Sequence, residues 1–110
     1  MEISFETSKL QKLCNSDGKL KGEFGPVMAK RVLQRLIDLE ASETLAEMRA
    51  LPGRCHELTG DRHGELAMDL VHPMRLIFTP DHDPIPLSSG GGMDWNQVTR
   101  IRILEIADYH

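Results

Sequence analysis

The side chains of this chain best suited to moving protons near neutral pH are its histidines, His56, His63, His72, His82 and His110. Imidazole titrates near ~6.5 with no help from its surroundings. His110 closes the run Asp108-Tyr109-His110, which sets a carboxylate, a phenol and an imidazole in succession, and His56 follows Cys55. Arg62 and Arg75 add guanidinium groups, which grip a phosphate through two parallel hydrogen bonds. Together these chemical types can exchange protons and stabilise negative charge building on a phosphate ester.

Other chemistries find less support. No histidine pair has the i, i+4 spacing of a helical metal site, and Cys14 and Cys55 lie far apart with no C-x-x-C pattern. Both cysteines read as reduced structural thiols, and no metal or cofactor is expected. Ser88-Ser89-Gly90-Gly91-Gly92 is glycine-rich but has no following Lys-Ser or Lys-Thr, so it reads as a flexible loop and not as a phosphate cradle. His63, His72 and His82 read as turn and surface residues. Each remaining candidate has a plain structural alternative. Arg75 and Arg62 would pair with Asp69 or Asp61 at the surface, and His56 would be an ordinary half-buried strand residue.

The elements that must position these groups follow from periodicity. Residues 2–7 alternate, with Ile3 and Phe5 on one side, and predict an opening strand. Ser8 is the expected cap of a short helix bearing Leu10 and Leu13, ended by Ser16-Asp17-Gly18. From Pro26, apolar residues recur at Met28, Val32 and Leu36 and in parallel at Ala29, Leu33 and Ile37, predicting the strongest helix, to about Glu40. A second short helix is predicted over 44–50, stopped by Leu51-Pro52-Gly53. Alternation then predicts strands over 66–70, 74–78 and 100–107, with turns at Gly60-Asp61 and His72-Pro73. Three prolines and the glycine run make residues 80–97 a flexible insertion between the last two strands. Arg75 alternates with Met74 and Leu76, so if those two meet the helices, Arg75 faces an open groove. By the same alternation Asp108 and Tyr109 fall on opposite faces of an ideal strand.

Strand, helices, then several strands imply an α+β domain, with one antiparallel sheet carrying the helices on one face. The 110 residues suffice for one domain and not for two. No apolar run approaches the ~20 residues that cross a bilayer, and Met1-Glu2-Ile3 does not begin a signal segment, so a cytoplasmic protein is expected. The 13 basic against 17 acidic residues, a net charge of -4, argue against general nucleic-acid binding. Any RNA contact must be local.

Three segments together resemble the HigB-like branch of the RelE/ParE toxins: His56-Glu57-Leu58-Thr59-Gly60-Asp61-Arg62, His72-Pro73-Met74-Arg75-Leu76-Ile77-Phe78, and Ile106-Ala107-Asp108-Tyr109-His110. Their order and spacing, with helices preceding the sheet, extend the resemblance over nearly the whole chain. It implies the toxin of a type II toxin-antitoxin pair: a ribosome-dependent endoribonuclease that cuts mRNA and stops translation. The implied partners are the ribosome, its mRNA and a cognate antitoxin, often a helix-turn-helix repressor. On that resemblance His110 exchanges the proton, Arg75 and Arg62 stabilise the phosphorane-like state, Tyr109 orients or stacks on a base, Asp108 aligns its neighbours and His56 assists. Lys30, Arg31 and Arg35 on the long helix would meet partner carboxylates or rRNA phosphates, or, as the favoured plain alternative, form a solvated helix face. Two alternatives stand beside this one: a ParE-like DNA gyrase poison with no catalysis, and a degenerate toxin retained for antitoxin binding. The latter is favoured by Thr59, at a position commonly basic in similar toxins, and by the acidic balance.

Overall fold

The computed structural model describes residues 1–108, so Tyr109 and His110, expected to stack on a base and to exchange the proton, lie outside the described residues. Five strands form one sheet: β1 Glu2–Phe5, β2 His56–Glu57, β3 Leu66–Asp69, β4 Met74–Pro80 and β5 Arg100–Asp108, in the order β1-β5-β4-β3-β2. The pairings from β2 to β5 are antiparallel, as short turns between successive strands dictate. β1 pairs with β5 in parallel, so the sheet is mixed where the sequence predicts purely antiparallel pairing. Alternation identifies a strand but carries no direction.

Three helices occupy the long crossover between β1 and the rest of the sheet. α1 (Ser8–Cys14) is capped one residue earlier than expected, by Thr7, whose hydroxyl accepts the Leu10 N–H at 3.1 Å. Ser16-Asp17-Gly18, expected as a stop, instead starts α2 (Asp17–Phe24), with the Ser16 hydroxyl accepting the Lys19 N–H at 3.1 Å. α3 (Pro26–Ala41) begins with proline after Gly25, which turns the chain at φ 85°. Its buried stripe is Met28, Ala29, Val32, Arg35 and Leu39, and Ile37, predicted to share the core, is 60% exposed. At ~100° per residue Ile37 stands roughly 140° round the helix from Val32, while Arg35 falls only ~60° away and goes inside. The short helix predicted over 44–50 is a 3-10 helix, Leu45–Ala50.

Helices and sheet meet along one face, where Leu20, Met28, Val32, Leu39, Leu45 and Met48 pack with Leu66, Met68, Leu76, Phe78, Ile101 and Ile103. The opposite face carries a smaller cluster of Leu58, Ala67 and Ile77, with Leu104 against it. Residues 58–65 fold back over that cluster: the Leu58 N–H donates to the Glu65 carbonyl at 2.8 Å, and the Thr79 hydroxyl donates to the Gly64 carbonyl at 2.9 Å. The two faces exchange roles along β5 through a β-bulge. Ile77 opposes Glu105 but Phe78 opposes Ile103, leaving Leu104 as the extra residue.

The connection between β4 and β5 is pinned near its end. A 3-10 turn, Trp95–Gln97, buries Trp95, whose indole N–H donates to Glu57 at 3.0 Å while the Arg49 guanidinium lies 4.1 Å from the ring centre. Residues 87–92 are exposed, closed by the Ser88 N–H donating to the Gly92 carbonyl at 2.7 Å. Among the described residues no helix is long and apolar enough to cross a membrane.

Candidate functional site

Arg75 is the second residue of β4, between Met74 and Leu76, both of which pack with the helices. The pleat sends its side chain to the other face, opposite Asp69 on β3 and Ala107 on β5. There its Nε lies 3.1 Å from Asp69 Oδ1, and the side chain is 19% exposed. The ion pair foreseen as the plain alternative for Arg75 is therefore present, with Asp69 as the partner.

Asp69 has a second guanidinium, one that the sequence does not announce. Arg54 donates from Nε to Oδ2 at 2.9 Å and from Nη2 to Oδ1 at 3.1 Å, a fork-to-fork pair. The turn before it makes this reach possible. Gly53 has φ 113°, and a Cβ there would lie 2.7 Å from Arg35 Nε and 3.0 Å from Met68 Cε, so only glycine fits. Arg54 itself has φ 50°, the one positive value at a non-glycine among the described residues. Such backbone conformations concentrate at functional sites. The main chain of Asp69 clamps the turn in place, its N–H donating to the Gly53 carbonyl at 2.7 Å. From the helix side Arg35 Nε donates to the Asp69 carbonyl at 2.9 Å. Arg35 thus braces this site from within and is withdrawn from the surface role foreseen for it.

His56 opposes Ala67 and so stands on the same face as Arg75. Its Nδ1 lies 2.7 Å from the Arg54 carbonyl oxygen, which only accepts. Nδ1 therefore carries a proton, and Nε2 is the accepting nitrogen of the neutral ring. Arg62 lies over the same face in the 3-10 turn Gly60–Arg62, with Nη1 2.7 Å from Glu65 and Nη2 2.7 Å from Glu105. The hydrogen bond to Glu65, and then the one to Glu105, raises its pKa. Asp108 opposes Met74, so its register places it on the helix side of the sheet, and Ala107 takes the position beside Arg75.

The structure thus gathers Arg75 and His56 with Arg54 and Asp69, sets Arg62 further along the same face, and separates Asp108 from them. Two cations converging on one carboxylate make an oxyanion-binding arrangement. Neither thiol joins it: burial pushes Cys14 up to about 11 and Cys55 up to about 12, so both stay protonated at neutral pH. Among the described residues no three His, Cys, Asp or Glu side chains converge as metal ligands.

The Arg54 hydrogen bond, with the charges of Arg54, Arg75 and His56, holds the Asp69 carboxyl below the usual carboxylate range against its partial desolvation. A carboxylate with a depressed folded pKa contributes stability that is fully present above its unfolded value, near ~3.9, and is lost as pH falls through the lower folded value. The stability gap between wild type and Asp69→Asn should therefore be widest at pH 5 to 7 and narrow below about pH 4. Urea midpoints across that range check it, and a gap independent of pH would show that the pair adds nothing to folding.

No protein-family model and no curated protein sequence matches the chain. Solved structures do. A "YoeB/ParE toxin from Agrobacterium tumefaciens" superposes with a TM-score of 0.61 at 12% identity, covering 100% of this chain and 100% of the other. A YoeB dimer from Staphylococcus aureus superposes with a TM-score of 0.58 at 17% identity, covering 100% of this chain and 97% of the other. The α+β architecture, one sheet with its helices laid on one face, is accordingly the fold of these YoeB/ParE toxins across the full length of the chain.

Proposed function

We propose that this chain is the toxin of a type II toxin-antitoxin pair in the RelE/ParE superfamily, a cytoplasmic, metal-independent endoribonuclease that cuts mRNA on the ribosome. The observation that carries this reading is the juxtaposition of Arg75 and His56 on the sheet face that the helices leave uncovered, within a fold shared end to end with solved toxins. On that face an RNA backbone meets the Arg75 guanidinium, which stabilises the charge building on the phosphate. His56, its tautomer set by the Arg54 carbonyl, offers Nε2 to the 2'-hydroxyl proton or to an intervening water. His110 exchanges a proton and Tyr109 orients or stacks on a base, as the resemblance implies. Arg62 supports the strand of phosphates from further along the face, and Asp108 acts by aligning the chain beside it. A cognate antitoxin, of the helix-turn-helix class by the same resemblance, silences the protein.

A second reading, a ParE-like gyrase poison or a toxin kept for antitoxin binding, is favoured by one observation. The guanidinium groups of Arg75 and Arg62 already face carboxylates of this chain. Induced expression separates the readings. We expect growth arrest within one generation, with new mRNA ends mapped inside translated codons. DNA-damage signalling with intact mRNA would assign the gyrase reading, and neither response would assign the degenerate one.

A further inference from the structure

We propose that Arg54 and Arg75 form a fork for one phosphodiester of single-stranded RNA, and that Asp69 fills this fork in the free protein as a carboxylate plug which the RNA displaces. The proposal rests on the nuclease reading of the same face and adds to it a second cation and an internal competitor.

The geometry supports an exchange. The two carboxylate oxygens of Asp69 take three guanidinium contacts, at 2.9, 3.1 and 3.1 Å, of the kind that phosphate oxygens also accept. Arg75 is mostly covered, whereas the side chains of Arg54 and Asp69 are 58% and 37% exposed, so the fork opens to solvent on the Arg54 side. Displacement needs no backbone movement. The main chain of Asp69 is tied on both sides, its N–H to Gly53 and its carbonyl to Arg35, and these bonds hold β3 to the turn without the carboxylate. A side-chain rotation alone would empty the fork. The two guanidinium groups exceed the one carboxylate by a single positive charge, which one phosphodiester neutralises, and partly exposed ion pairs yield readily to a better partner.

The left-handed backbone at Arg54 gives this a purpose. Residue 54 sits in a conformation that a side chain other than Asn, Asp or Gly seldom adopts, and there it aims its guanidinium at Asp69 and its carbonyl at His56. One residue thereby sets both the phosphate fork and the imidazole tautomer.

The test is fluorescence-anisotropy binding of a labelled 2'-deoxyoligonucleotide, which lacks the 2'-hydroxyl and cannot be cut, by the full-length protein over a series of salt concentrations. Asp69→Asn keeps the shape and removes the charge, and we expect it to bind several-fold tighter than wild type. Arg54→Asn, whose new side chain tolerates the positive φ, should bind more weakly and lower the salt slope by about 0.7, the loss of one single-strand phosphate contact. Unchanged or weaker binding by Asp69→Asn overturns the plug, and an unchanged slope for Arg54→Asn overturns the fork. Preference for a polyglutamate peptide over the oligonucleotide would assign the fork to an acidic protein partner and overturn the RNA assignment. Because the probe is inert, cleavage fails or succeeds independently: normal mRNA cutting with no Asp69 effect sinks this proposal alone, and the Asp69 effect without cutting sinks the nuclease reading alone.

Discussion

Arg75→Ala is expected to lower ribosome-dependent mRNA cleavage by about 10²- to 10³-fold, the loss typical of removing one donor aimed at developing negative charge. The guanidinium is largely covered where it rises from β4, so it reaches the transition state with little rotamer freedom left to lose. Truncation removes that preorganised charge and leaves Asp69 still forked by Arg54, so no buried unpaired carboxylate results and the fold should survive. Arg62→Ala makes the informative comparison. Its two terminal nitrogens are engaged by Glu65 and Glu105, and so we expect a smaller fall in rate. Cleavage rates on programmed ribosomes, with circular dichroism as the check on folding, measure both. Equal rates for folded Arg75→Ala and wild type would remove Arg75 from the chemistry and with it the main support for a nuclease.

What could be read in advance divides along physical lines. Period-2 and period-3.6 patterns found β1, β3, β4, β5 and α3, because burial of one face imposes those spacings directly. Placing Arg75 opposite Met74, Leu76 and Phe78 needed nothing more than the pleat. The α2 helix is not legible because Ser16-Asp17-Gly18 serves equally as a stop and as a cap, and only the partner of the Ser16 hydroxyl distinguishes the two. Arg35 and Ile37 exchanged places because an arginine with a carbonyl to bond can go inside, while an isoleucine off the stripe remains outside. Asp69 is legible as a partner for Arg75, but its pairing with Arg54 leaves no local trace. Fifteen residues separate them, and their meeting depends on the conformation of Gly53 and on the pairing of β2 with β3. Asp108 could be assigned to neither face until β5 had a register, and opposite Met74 it falls on the helix side.

Phe78→Ala should be the most damaging single truncation for stability, at about 3 to 5 kcal/mol. The ring is fully buried and flanked in the sheet by Leu66 on β3 and Ile103 on β5, so the void left behind has neighbours held on both sides and little room to collapse. A domain of this size has only about 5 to 15 kcal/mol in hand, and the loss should lower the Tm by roughly 12 °C or more. Ile37→Ala, at an exposed site on α3, should change stability by no more than about 0.5 kcal/mol. Urea midpoints for the two variants give the contrast, and a Phe78→Ala loss below about 1 kcal/mol would mean that the site relaxes freely and is not closely packed. The consequence extends to the functional face. Phe78 stands where β5 slips register, so that Ile103 returns to the core while Glu105 opposes Ile77 and reaches Arg62. Packing of this ring on the helix side thereby fixes which residues of β5 appear on the other side. A cavity there should loosen the Arg62 to Glu105 pair before it disturbs Arg75, whose partner Asp69 belongs to β3.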